Sequence, residues 1–65
     1  MTVEGPALNT YYTRFSTRIS YRVEEISNDG WVRACGFIDG KPAVLTLALK
    51  DFFSHFEKPT EVVLY

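Results

Sequence analysis

The chain lacks the features that mark most specialised small proteins. It has one cysteine, Cys35, in 65 residues. That excludes an internal disulfide framework and any cysteine-rich zinc site. It has one histidine, His55, which excludes most His-based metal or triad chemistry. No apolar run approaches the roughly 20 residues of a membrane-spanning helix. The first residues show no basic-then-apolar pattern of a signal peptide. No membrane partner is expected. Internal repeats and low-complexity segments are also missing. Net charge is only −1, so there is no global pull toward nucleic acid or an anionic membrane. A lone reduced cysteine fits a cytoplasmic protein.

What is present is the composition of a folded domain, with 46% apolar and 15% aromatic residues. A domain this small buries only about 60% of its unfolded surface. Without disulfides or zinc, dense aromatic packing or a partner chain must supply the missing stability. A homo-oligomer is one way to do so. Charge is unevenly placed: Arg14, Arg18, Arg22 and Arg33 come first, and Lys41, Lys50 and Lys58 follow.

Residues 1–9 carry Gly5-Pro6 and no periodicity, and read as a flexible or loosely docked arm. Residues 10–65 read as a single domain. Within residues 10–26, odd positions from Tyr11 to Val23 are aromatic or β-branched and even positions from Arg14 to Glu24 are polar or charged, the period-two pattern of a half-buried strand. A helix is the rival reading, but it would stack Arg14, Arg18 and Arg22 in like-charge contact. A run this long is expected to bend or break near Ser16-Thr17. Ser27-Asn28-Asp29-Gly30 and Asp39-Gly40 are turn signals between apolar runs. They predict a three-stranded antiparallel meander. Residues 42–57 admit one long helix, but Ala43, Leu45, Leu47 and Leu49 alternate as a strand. A short helix from Asp51 to Glu57 then follows, stopped by Pro59. A final strand over 60–65 is expected to close or extend the sheet.

Hairpin geometry fixes which residues meet. A two-residue Asp39-Gly40 turn faces Val32 with Leu47, Ala34 with Leu45 and Gly36 with Ala43. With a four-residue loop at 27–30, Glu24 faces Arg33. One side of the sheet then collects Ile19, Tyr21, Val23, Val32, Ala34, Gly36, Ile38 and the leucines of the third strand. A slip of one residue would scramble this apolar face. Phe52, Phe53 and Phe56 are its natural cover. Pro42 places its missing N–H away from the second strand, so the third strand is an edge there. The fold class is a β-rich α+β domain whose element order resembles a small SH3-like or truncated OB-like barrel. The analogy is topological and does not fix function.

The opposite face mixes basic, aromatic and small groups. Arg14, Arg18, Arg22 and Arg33, with Trp31, Phe37 and Tyr12, form the candidate partner-binding set. Such a face can be an ordinary solvated one, with arginine stems lying over aromatic rings. It can be a protein interface, for which Trp, Tyr and Arg are the usual anchors. It can also hold single-stranded nucleic acid, by phosphate neutralisation and base stacking, although Glu24 and a pI near 5.7 count against that. Tyr11 and Tyr12 occupy opposite faces, so one ring is exposed. Cys35 reads as a small structural residue and His55 as an exposed helix residue. Glu24 and Glu25 point to opposite faces and make no acid–base pair. No phosphate loop, nucleophile elbow or metal spacing is found. No catalytic residue, metal or cofactor is expected.

The expected function is therefore a non-enzymatic binding protein, acting as a regulator, adaptor or inhibitor. It would dock onto another protein through the basic–aromatic face or an open strand edge. Size alone, and no motif, suggests the small proteins carried by phages and mobile elements. A single-stranded nucleic-acid binder using the same face is the alternative, and an obligate homodimer is the third reading.

Overall fold

The computed structural model describes residues 3–65. Its elements are β1 (Glu4–Gly5), β2 (Tyr11–Thr13), β3 (Ser20–Ile26), β4 (Trp31–Ile38), β5 (Lys41–Ala48), a 3-10 turn (Leu49–Asp51), α1 (Phe52–His55) and β6 (Val63–Leu64). Strands β2 to β5 form a four-stranded antiparallel meander, while β1 and β6 form a separate two-stranded sheet.

The β4–β5 hairpin is set by its turn. Asp39 and Gly40 both take left-handed backbone angles, with φ of 54° and 77°, as a type I′ turn demands. Val32 pairs with Leu47, Ala34 with Leu45 and Gly36 with Ala43, as the turn predicts. Residues 41–48 are thus strand and not helix.

The run over 10–26 breaks where a bend or break was expected, near Ser16-Thr17, and there it reverses into a hairpin of two strands. Residues 14–19 turn the chain back, with Arg14 N–H donating to Ile19 O at 2.9 Å and Arg18 N–H to Arg14 O at 2.8 Å. Arg18 takes φ of 59°. Because six residues separate the strands, Thr13 faces Ser20 and Tyr12 faces Tyr21. Even positions of β2 therefore share a side with odd positions of β3. Tyr12, expected on the outer face, is buried, and Tyr11 is exposed in its place.

Between β3 and β4, Gly30 has φ of 86° and the Ser27 hydroxyl accepts the Trp31 N–H at 3.0 Å. Val23 pairs with Ala34, but the register shifts before Glu25, which pairs with Arg33. A β-bulge at Glu24 absorbs one residue. Glu24 therefore does not face Arg33.

The core lies on the inner side of the meander. Tyr12, Tyr21, Val23, Val32 and Ala34 are buried there under Leu49, Phe52 and Phe56. Tyr12 meets Phe52 edge-on at 5.3 Å, and Tyr21 meets Phe56 edge-on at 5.7 Å. Phe53 covers part of the same surface. Ile38, expected inside, is exposed beside its turn. The helix is shorter than expected and ends at His55, because Phe56 is already extended.

Within residues 3–9, Glu4–Gly5 pairs with β6. Val3 and Tyr65 exchange backbone hydrogen bonds of 2.9 and 2.8 Å, and Gly5 pairs with Val63. The Tyr65 hydroxyl donates to Pro6 O at 2.6 Å. For Met1 and Thr2 the expected arm lies outside the described residues. The final strand spans Val63–Leu64 rather than 60–65 and pairs with β1. It therefore neither closes nor extends the meander, and the sheet stays open rather than forming a barrel.

Candidate protein-docking face

Alternation along β3, β4 and β5 sends every second side chain to the outer face of the meander. Trp31 and Phe37 stand there at opposite ends of β4, 52% and 67% exposed. Six residues of strand put them about 20 Å apart. Arg22 and Arg33 lie between them on neighbouring strands, both exposed. Across the sheet, Tyr11 faces Arg22, Arg22 faces Cys35, and Cys35 faces Val44. Tyr11 and Val44 are 65% and 63% exposed. Val44 was legible from the β5 alternation. Tyr11 was not, because the hairpin at 14–19 reverses its side.

Three of the seven expected binding residues fall elsewhere. Tyr12 is in the core, where its hydroxyl accepts the Ala7 N–H at 2.8 Å. Arg14 lies beside Phe56, to which it forms an isolated bridge off the sheet face. Arg18 sits in the turn and pairs with Glu57 at 3.0 Å. The structure brings together Arg22, Trp31, Arg33 and Phe37.

The two arginines that remain are not free charges. Arg22 pairs with Glu24 at 3.0 Å, and Arg33 with Glu25 at 3.4 Å. The hydrogen bond that Arg22 donates to Glu24, reinforced by the glutamate's charge, raises the Arg22 pKa above its ordinary value. The bulge makes this arrangement available. In a regular strand Glu24 and Glu25 would point to opposite faces, as expected from the sequence. With the extra residue, each reaches an arginine of the outer face. Exposed pairs of this kind contribute little to folding. Their effect is to leave an aromatic face with balanced charge.

Cys35 is a free thiol, half-buried, with Sγ 3.7 Å from Gly36 O. His55 is exposed at the end of α1. A groove beside the 27–30 turn is lined by Leu8, Ile26, Leu49 and Tyr65, with Glu24 and Glu25 at its lip. Neither Cys35 nor His55 lines it. Among the described residues no group of three or more His, Cys, Asp or Glu could hold a metal ion. Among them, too, no helix is long and apolar enough to cross a membrane. No protein-family model, curated protein or solved structure matches the chain, so the reading of this face rests on its geometry.

Proposed function

We propose that this is a non-enzymatic binding protein, a regulator, adaptor or inhibitor, that docks another protein on the outer face of its meander. The observation that carries this reading is the pairing of Arg22 and Arg33 with Glu24 and Glu25 between exposed aromatic rings. A face of this kind offers the aromatic and arginine anchors of protein interfaces. The same pairing weighs against single-stranded nucleic acid, which needs uncompensated cations along its backbone. The free Cys35 suits a reducing, cytoplasmic setting.

The test is capture from the native host with the wild-type chain and with Trp31→Ala/Phe37→Ala. Both side chains are exposed, so circular dichroism should show the fold kept. A specific protein held by the wild type and lost by the double variant is expected. Equal retention by both would remove this face from consideration. A salt-sensitive quenching of Trp31 by a mixed-sequence oligonucleotide would instead revive the nucleic-acid reading.

A further inference from the structure

The two edges of the meander are treated differently. On β2 the outward edge is covered at its C-terminal end by residues 55–57. Thr13 O accepts the Glu57 N–H at 2.9 Å, and just beyond, Phe15 N–H donates to His55 O at 2.9 Å. On β5 no strand among the described residues lies alongside. The two-residue turn makes Ile38 and Lys41 its closing hydrogen-bonded pair. Alternation then turns Ala43, Leu45 and Leu47 toward β4, and Pro42, Val44, Thr46 and Ala48 outward. Among the described residues no backbone group bonds to the outward side of Val44, Thr46 or Ala48.

Natural edges are blunted by charge, proline or short length. Here Lys41 and Pro42 protect only the first two positions, and residues 43–49 (AVLTLAL) carry no charge. We propose that β5 pairs antiparallel with β5 of a second copy, about a two-fold axis at Thr46, to give one continuous sheet. This interface is the strand edge, so the proposal stands apart from the reading of the outer face.

The register follows from Pro42. Setting Val44 opposite the second copy's Val44 brings Pro42 against Thr46, and each proline then leaves a carbonyl without a donor. Setting Val44 opposite Thr46 does the same to Ala48. Setting Thr46 opposite Thr46 pairs Val44 with Ala48 twice, and every outward N–H and C=O of the three residues finds a partner. On the inner side this register puts Leu45 against the second copy's Leu47. Both leucines are only partly buried in the single chain, and here each gains an apolar neighbour. Thr–Thr pairs are favourable cross-strand neighbours. Charge fits a second copy as well. Asp39 and Lys41 mark one end of β5 and Lys50 and Asp51 the other, so the two-fold axis joins ends of mixed sign without a like-charge excess.

A single strand pair is a small interface, so dissociation is expected in the micromolar range, at about 1–500 µM. Sedimentation of the wild-type chain over that range should move from monomer to dimer. Thr46→Lys and Thr46→Glu each set like charges directly opposite and should raise the dimer Kd roughly tenfold or more. Mixed in equal amounts, the two variants should dimerise again, because only this register puts residue 46 against itself. Thr46→Pro, which removes the central outward N–H without adding charge, should also weaken the dimer, with circular dichroism confirming the fold. A wild type that stays monomeric throughout overturns the proposal. So does a dimer that survives both charge variants, or two monomeric variants that do not recombine.

Discussion

Phe52 stacks on Phe56, with ring centroids 4.4 Å apart and planes within 4° of parallel. Both rings are fully buried, and each also meets a tyrosine of the meander edge-on. This pair is the contact through which the short helix closes the core. Phe52→Ala or Phe56→Ala should cost about 3–5 kcal/mol. A single core in a chain this small rarely supplies more than about 3–5 kcal/mol, so either variant should be largely unfolded. Urea titration followed by Trp31 fluorescence would check this, and a full folded baseline would contradict it.

The glutamates of the bulge are expected to control what the outer face attracts. Glu24→Gln/Glu25→Gln releases two arginines while keeping the backbone. Stability should change little, because both pairs are exposed. The face becomes basic, and the variant should gain a salt-dependent affinity for single-stranded oligonucleotides that exceeds the wild type's. Equal affinity for both chains would show that the ion pairs do not set the charge preference.

Gly36 is required by close approach rather than by its backbone angle. A Cβ there would lie 2.9 Å from the Ser20 carbonyl oxygen and 3.0 Å from the Tyr21 ring. The oxygen belongs to the neighbouring strand and cannot rotate away. Gly36→Ala should destabilise by about 1–3 kcal/mol, seen as a lower urea midpoint.

Tyr65 gives the fold a weak point in alkali. Its phenol pKa is raised above 10.0 by burial, and secondarily by Tyr12. The folded state therefore favours the neutral phenol, which donates to Pro6 O. That contribution is complete below about pH 10 and is lost as pH rises through the folded value. Tyr65→Phe should lower stability at pH 7 by about 0.5–1.5 kcal/mol and lose less than the wild type above pH 10. Urea midpoints at pH 7 and pH 10.5 would compare the two chains.

The parts of this fold that were legible are those set by short turns. Asp39-Gly40 has the composition its geometry demands, so the pairing of Val32 with Leu47 could be read from spacing. The hairpin at 14–19 had no such mark. Its left-handed residue is Arg18, not a glycine or asparagine, and the alternating pattern runs through it unbroken. That concealed the reversal of Tyr11 and Tyr12 and the removal of Arg14 and Arg18 from the face. The bulge at Glu24 was hidden for a similar reason, since a bulge at one of two adjacent glutamates leaves no trace in composition. Strands β1 and β6 are two residues each, too short for any period to register. Of the candidate site, Arg22, Trp31, Arg33 and Phe37 were legible because they lie on strands whose turns were read correctly.

The pairing of β1 with β6 also has a kinetic meaning. Loop-closure entropy rises with the length of chain enclosed, and the Val3–Tyr65 contact encloses almost all of it. The meander hairpins join near neighbours and can form without it. The terminal pair is therefore expected to be the last contact made on folding and the first released, a latch whose amides should exchange through local opening. Release would uncover the flank of Leu49 on which Gly5 rests, so water is expected to reach the hydrophobic core from this end first.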